Sequence, residues 1–179
     1  MRKTRVVLAE LEQHRPDIIM LQETNVNENN LHRLELPSGW KAAFSSEPAC
    51  KGKGKGVAIL AREATLRGSQ LRIVYDKSNR NLDIIAVSVR GILFVNVYLH
   101  SRIAASKLQS VYNGLLDHLD EIPGTYDATV LAGDFNHPHH SHRLIELLEA
   151  VGFVPACNPL EATHAAGGKL DWVLVRGAT

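Results

Sequence analysis

Short apolar runs, separated by polar and glycine-containing segments, recur along the chain and predict a series of buried strands. Runs of about four to eight residues that are rich in β-branched side chains are typical of such strands. Arg90-Gly91 separates two of these runs and predicts a two-residue hairpin turn. The pattern places strands at 18–21, 40–46, 57–60, 82–89, 92–99, 129–132 and 169–176.

Apolar residues recur at helical spacing in three other segments, 4–14, 104–121 and 141–151. Ser141 is a candidate N-cap of the last helix. Strands joined partly by hairpins and partly by crossover helices predict a layered α/β domain. No repeat or linker divides the chain, so residues 1–179 are expected to form a single domain.

The composition narrows the classes of protein to consider. Hydrophobic residues make up 45% of the 179 residues, which is enough for a packed core. The net charge of +1 lacks the strongly basic balance of a protein that binds nucleic acid tightly without sequence specificity. Any recognition of phosphate therefore depends on a few side chains at one site. The sequence shows no apolar stretch of about 20 residues and no signal peptide, and its two cysteines lack metal-site spacing. We therefore expect an intracellular, cytoplasmic protein without a membrane span.

A carboxylate and an amide follow the apolar run at 129–132, in the segment Gly133-Asp134-Phe135-Asn136. Residues i and i+2 of an extended segment point to the same side, so Asp134 and Asn136 are predicted to face one site. A carboxylate holds a hard metal ion or orients a water, and an amide donates to a phosphate oxygen. The pair favours phosphate-ester chemistry. A plain tight turn is the alternative, because Gly, Asp and Asn are turn residues.

Polar side chains at the ends of two more predicted strands fit the same chemistry. Glu23 follows the first apolar run and is a natural Mg²⁺ ligand, unless it is an ordinary exposed carboxylate. Asn96 and Tyr98 share one face of their strand, and a tyrosine hydroxyl binds a phosphate oxygen or assists proton transfer. Arg102 offers a planar fork to phosphate, so Asn96 and Arg102 are the predicted substrate-binding residues. The alternative is an amphipathic surface with Tyr98 packed and Arg102 solvated.

Asp171 lies inside an apolar run, where a carboxylate is costly unless it is paired, hydrogen-bonded or functional. A histidine is its natural partner, and His164 is a candidate for that catalytic role. A half-exposed strand with Asp171 on its wet face is the alternative. Histidines also crowd the segment 137–142, but they lack a regular ligand pattern, so a transition-metal site is not favoured there.

Five short motifs occur along the chain in a distinctive order. They are Leu-Gln-Glu-Thr (21–24), Gly-Val-Ala-Ile (56–59), Asn-Val-Tyr (96–98), Gly-Asp-Phe-Asn (133–136) and Leu-Asp-Trp-Val-Leu (170–174). This ordered set resembles the endonuclease/exonuclease/phosphatase superfamily, which includes exonuclease III-like abasic-site endonucleases, retrotransposon endonucleases and deoxyribonucleases. The resemblance implies a four-layer α/β sandwich with two facing, mostly antiparallel sheets flanked by helices. It also implies hydrolysis of a phosphate ester with Mg²⁺ or Mn²⁺.

Carried over position by position, the resemblance implies a role for each candidate site residue. Glu23 is the metal-binding carboxylate, and Tyr98 contacts the phosphate. Asp134 orients or deprotonates the attacking water, and Asn136 stabilises the transition-state oxygens. Asp171 orients a phosphate or a histidine.

Two departures from the family pattern affect these expectations. A strand carrying an asparagine usually precedes the first helix, and an Asp-His pair usually follows the last strand, but neither has a counterpart here. The chain resembles a family core truncated at both ends, and unpaired sheet edges then favour a homodimer. We expect a nuclease that acts on DNA. The alternatives are a phosphatase or phosphodiesterase acting on a small or lipid phosphoester, and a non-catalytic binding domain. Candidate replacements for the missing histidine are His100, His137, His139, His140 and His164.

Overall fold

Two β-sheets face each other, and helices cover the outer side of the larger one. The computed structural model describes residues 13–26, 36–45, 56–137, 141–156, 162–163 and 169–177. The strands are β1 (Ile18–Leu21), β2 (Trp40–Phe44), β3 (Ala58–Arg62), β4 (Arg72–Ser78), β5 (Leu82–Val89), β6 (Ile92–Leu99), β7 (Ala128–Asp134), β8 (Val154–Pro155) and β9 (Asp171–Gly177). The helices are α1 (Glu63–Leu66), α2 (Ala105–Asp120) and α3 (Ser141–Ala150). None of the helices in the described part of the chain is long and apolar enough to cross a membrane.

The smaller sheet has the strand order β1-β3-β2, and the larger sheet has the order β4-β5-β6-β7-β9-β8. The described strand pairs are antiparallel except β6 and β7, which are parallel. A parallel pair needs a crossover connection, and α2 provides it. As a result, the carboxyl ends of β6 and β7 lie side by side at one edge of the larger sheet.

The core has two layers, one between the larger sheet and the helices and one between the two sheets. Strand β5 contributes to both, because Ile84 belongs to the same core cluster as Leu115 of α2 and Leu144 of α3, whereas Ile85 belongs to the cluster that includes Ile59 of the smaller sheet. Strands β5 and β6 are therefore covered on both faces over most of their length. This double burial explains why their sequences are almost continuously apolar.

The two facing sheets and their flanking helices agree with the expected α/β fold class. The predicted hairpin is confirmed, since Arg90 and Gly91 have φ values of 52° and 80°, as a two-residue turn of this kind requires. The helix predicted over 4–14 lies almost entirely outside the described residues. The sequence analysis missed α1, β4 and the two-residue β8. Strand β4 is mostly half-exposed with an irregular register between Ile73 and Tyr75. Such a strand shows no clean alternation of apolar and polar residues.

Candidate active site

Four polar side chains form a row across the larger sheet, at the edge where β6 and β7 end. Each member of the row is the register partner of the next, on β5, β6, β7 and β9 in turn. Directly opposed residues in neighbouring strands lie about 5 Å apart on the same face. Ligand sites in α/β sheets commonly lie at such strand ends. The row consists of Asp83, Tyr98, Asp134 and Asp171.

Tyr98 connects this row to the smaller sheet. Its ring is 3% exposed, and its hydroxyl donates a hydrogen bond to Oε1 of Glu23, which follows β1. Glu23 is exposed and has a φ value of 52°, a left-handed conformation that is unfavourable for a residue with a Cβ. Gly56, which lies two residues before β3, supports this turn because its carbonyl accepts from the Thr24 N–H at 3.2 Å. Backbone strain concentrated beside a candidate ligand is typical of functional sites.

The surroundings of Tyr98 keep its hydroxyl protonated. Burial of the ring, the hydrogen bond to Glu23 and the charge of Glu23 all raise the pKa of Tyr98. The charge of Asp134 acts in the same direction, and a hydrogen bond with Asn136 acts against it. Tyr98 therefore remains a hydrogen-bond donor throughout the physiological pH range. Tyr98 thus contacts Glu23 and is the register partner of Asp134, so the two carboxylates flank one tyrosine.

Asp134 and Asn136 interact directly. The backbone N–H of Asn136 donates to Oδ1 of Asp134 at 2.9 Å, and its side-chain Nδ2 donates to Oδ2 at 3.2 Å. The same Nδ2 also donates to the carbonyl of Leu99 at 2.9 Å. Strand β7 ends at Asp134, and Asn136 has a left-handed φ of 50°, which asparagine tolerates better than most residues. The two side chains thus meet through a turn and not, as the sequence analysis assumed, through strand alternation.

Gly133 allows β6 and β7 to approach closely just before Asp134. A Cβ atom at this position would lie 1.9 Å from the carbonyl oxygen of Val97 on β6. The neighbouring atoms belong to the backbone, so they have little freedom to move aside. A residue without a side chain is therefore required at the point where β7 delivers Asp134.

Asn96 is fully buried and joins the two sheets. Its Nδ2 donates to the carbonyls of Leu21 and Ala58, both at 2.9 Å. Its Oδ1 accepts from Nε2 of Gln22 at 2.6 Å, and Gln22 directly precedes Glu23. Asn96 was predicted to bind substrate, but the structure places its side chain in contact with the backbone that carries Glu23.

The remaining predicted residues lie at the margins of the row. Asp171 is exposed at the start of β9, where its backbone N–H donates to Oγ1 of Thr163 at 3.0 Å. Arg102 is exposed in the turn that follows β6. His164 lies outside the described residues, so its distance from Asp171 is not part of this structure. Glu23, Tyr98, Asp134 and Asn136 are thus the predicted residues that the fold brings together.

Two further polar residues lie next to this group: Asp83, which sequence reasoning missed, and His100, which it named only as one candidate replacement for the missing histidine. Asp83 has no exposed surface, and its Oδ2 lies 3.3 Å from Nε2 of His100, which is 5% exposed. The available signal was Asp83 itself, a single charge within the apolar run of β5. A charge in such a position requires a partner.

The oxygen ligands at this edge fit a hard divalent cation. Mg²⁺ is usually held by one or two carboxylates, with waters and substrate phosphate oxygens completing its coordination. Glu23 supplies an exposed carboxylate, and Asp134 supplies a second one near the same tyrosine hydroxyl. Within the described ranges there is no group of three or more His, Cys, Asp or Glu side chains that would hold a metal by themselves.

The fold and the row of side chains define an α/β protein with two facing sheets and an acidic site at one sheet edge. The chain belongs to the endonuclease/exonuclease/phosphatase family, whose model matches residues 1–179. This membership confirms the resemblance that the five ordered motifs indicated. No curated protein matches the sequence.

Solved structures with the same fold include proteins that act on DNA or were determined with DNA. A 3'-5' exonuclease (NExo) from Neisseria meningitidis has a TM-score of 0.68 and 20% identity, over 97% of this chain and 82% of the exonuclease. D. rerio TDP2 with a single-stranded DNA product has a TM-score of 0.64 and 15% identity, over 98% of this chain and 76% of TDP2. An AP endonuclease from Archaeoglobus fulgidus has a TM-score of 0.59 and 18% identity, over 96% of this chain and 80% of the endonuclease. At these identities the similarity establishes the fold.

Proposed function

We propose that this protein is a metal-dependent phosphodiester hydrolase that acts on DNA. The observation that carries the proposal is the position of Tyr98, which contacts the Glu23 carboxylate after β1 and is the register partner of Asp134 in the larger sheet. A phosphate group is an anion, and its hydrolysis needs a cation, hydrogen-bond donors and an oriented water in one place. The two sheet edges supply residues suited to each of these tasks. Family members are generally phosphoester hydrolases and commonly use divalent metals.

In this proposal Asp134 orients the attacking water and accepts its proton. Asn136 restricts the carboxylate of Asp134 through two hydrogen bonds, so the orientation of that carboxylate is set before substrate binds. Tyr98 donates to a phosphate oxygen when substrate is present, because its pKa is raised and its proton is retained.

Glu23 is the proposed ligand for Mg²⁺ or Mn²⁺. When bound, the cation polarises the phosphoryl oxygens and stabilises charge on the leaving oxygen. Asp171 is proposed to face the substrate from β9, with His164 as its partner. Arg102 is proposed as a phosphate contact at the rim. Asn96 is buried, so we assign it the positioning of the Gln22–Glu23 segment instead of a direct substrate contact.

The choice of DNA rests on what the similar structures contain. The Neisseria NExo 3' phosphatase was determined with a product DNA hairpin, and D. rerio TDP2 with a single-stranded DNA product. The first of these also makes a phosphatase acting on a DNA 3' end the second candidate function.

We further propose that the edges of the two sheets support a homodimer, which sedimentation velocity of the purified protein tests.

The experiment that tests the metal assignment is calorimetric titration of the protein with MgCl₂. Wild-type protein is expected to bind Mg²⁺, and the Glu23→Gln variant is expected to lose at least about tenfold in affinity because a neutral amide is a weaker ligand. Glu63→Gln is the matched control, since Glu63 is another exposed carboxylate, paired with Lys41 in a different part of the molecule. Equal Mg²⁺ affinity for all three proteins, or a loss in the Glu63 variant alone, would contradict the assignment.

A further inference from the structure

A buried acid–histidine pair lies behind the candidate site and has no part in the chemistry proposed above. Oδ2 of Asp83 lies 3.3 Å from Nε2 of His100 and also accepts from the Gly56 N–H at 3.1 Å. Nδ1 of His100 lies 2.8 Å from the carbonyl oxygen of Arg80. Both ring nitrogens of His100 therefore face oxygen acceptors, which fixes the plane of the imidazole.

The backbone carbonyls of His100 and of the residue before it contact two groups of the site. The carbonyl of Leu99 accepts from Nδ2 of Asn136 at 2.9 Å. The carbonyl of His100 accepts from Nε2 of His137 at 3.1 Å. The backbone carbonyls of residues 99 and 100 thus hold two consecutive side chains of the loop that follows β7.

The imidazole of His100 also contacts the site directly. The centroid of its ring lies 5.2 Å from the centroid of the Tyr98 ring, and the two ring planes are inclined at 46°. Tyr98 in turn donates to Glu23. A change in the position of His100 would therefore reach Tyr98, Asn136 and His137 together.

A buried ionisable pair contributes little net stability, because desolvation offsets most of the attraction between its members. Apolar residues would fill the same space in a strand as apolar as β5. Retention of such a pair is better explained by geometric specificity, since two directed hydrogen bonds define an orientation that apolar contacts leave free.

We infer that Asp83 and His100 are positioning residues, which hold the backbone of residues 99 and 100 so that Asn136, His137 and Tyr98 are correctly placed. This inference rests on the proposed phosphodiesterase function for its kinetic consequence. A displacement of about 1 Å in a catalytic group lowers the rate by about 10- to 100-fold without necessarily changing substrate affinity.

Three substitutions separate positioning from simple packing. Asp83→Leu and His100→Phe remove the directed hydrogen bonds while retaining an apolar or aromatic side chain of similar size. Asp83→Asn is the conservative variant: its amide oxygen, in the place of Oδ2, keeps an acceptor for both the Gly56 N–H and Nε2 of His100. Leu115→Ala is the control for lost stability, since Leu115 is fully buried against the outer face of the sheet.

The kinetic expectation is a fall in kcat with little change in KM. For Asp83→Leu and His100→Phe, kcat is expected to fall by about 10- to 100-fold, and Asp83→Asn is expected to restore it to within about threefold of wild type. Leu115→Ala is expected to keep kcat within about twofold while the protein is folded. Wild-type kcat in both disruptive variants, or an equal fall in Leu115→Ala, would overturn the inference.

A second readout is independent of catalysis. NMR signals of the Asn136 side-chain amide and the His137 imidazole N–H report their hydrogen bonds to the two carbonyls. These signals are expected to shift in Asp83→Leu and His100→Phe and to stay near their wild-type positions in Asp83→Asn and Leu115→Ala. If wild-type protein hydrolyses no phosphoester but the signals follow this pattern, the proposed function fails and the positioning role stands. Unchanged signals in the disruptive variants would reject the positioning role.

Discussion

Gly133→Ala is the substitution whose consequence follows most directly from a measured distance. The added Cβ would lie 1.9 Å from the carbonyl oxygen of Val97, whereas real Cβ contacts stay above about 3.0 Å. Strands β6 and β7 must therefore separate locally by about 1 Å. The contact is with backbone atoms of a paired strand, so no side-chain rotation relieves it.

The cost of this separation combines two effects. Overpacking of a well-packed interior costs about 1–3 kcal/mol, and weakening one or two ladder hydrogen bonds adds about 1 kcal/mol each. We expect Gly133→Ala to lower the free energy of unfolding by about 2–4 kcal/mol. The position of Asp134 changes with that of its neighbour, so hydrolytic activity is expected to fall by about 100-fold even in the folded fraction.

Urea unfolding followed by tryptophan fluorescence measures the effect, and Trp172 is the register partner of Gly133 on β9. Gly114→Ala is the matched control, because Gly114 lies within α2 and a Cβ there meets nothing within 4 Å. It is expected to raise the free energy of unfolding by about 0.5–1 kcal/mol. If the free energy of unfolding of Gly133→Ala lies within about 0.5 kcal/mol of the wild-type value, the argument from close strand approach is wrong.

Three further predictions concern the buried polar groups of the site. Asn96→Leu leaves the carbonyls of Leu21 and Ala58 without their donors, so we expect a loss of about 2–5 kcal/mol in urea unfolding; a loss below about 1 kcal/mol would contradict this role. Burial opposes ionisation of Asp83, but hydrogen bonds from His100 and the Gly56 N–H outweigh it and lower the pKa of Asp83 below its ordinary value of 3.8. This stabilisation is present above that value and is lost as the pH falls below it. The free energy of unfolding of wild type relative to that of Asp83→Asn should therefore decline from pH 5 to pH 2, and a constant difference would contradict the lowered pKa. The raised pKa of Tyr98 predicts that this residue ionises only above pH 10. The tyrosinate absorbance of wild type should therefore exceed that of Tyr98→Phe only above pH 10, and a difference already present at or below pH 10 would oppose the assigned contact.

Strands β5 and β6 of the larger sheet were predictable because burial on both faces leaves a long apolar run in the sequence. Strand β5 is covered on both faces and is almost continuously apolar, and the turn at Arg90-Gly91 has the short length that a hairpin needs. Strand β4 was not predictable in this way, because half-exposure and an irregular register remove the alternation. Local patterns thus identify elements that are strongly buried and miss those at the margin.

The individual site residues were predictable, but the contacts between them were not. Asp134 and Asn136 were expected to meet through strand alternation, whereas a left-handed turn at Asn136 brings them together. The contact between Tyr98 and Glu23 joins residues 75 positions apart, and the pair formed by Asp83 and His100 depends on the end of β6 lying beside β5. Periodicity reports which face a residue occupies and gives no information on which distant residue shares that face.

The most direct test of the central claim is cleavage of supercoiled plasmid DNA and of a duplex with an abasic site, with Mg²⁺ and with EDTA. Wild-type protein is compared with Asp134→Asn, which retains the size of the side chain and the acceptor for the Asn136 backbone N–H. The account predicts Mg²⁺-dependent cleavage by wild type and a loss of at least about 100-fold in the variant. Equal cleavage by both proteins, or no cleavage of either substrate by folded wild-type protein, would contradict the claim that this edge of the sheet is a DNA phosphodiesterase site.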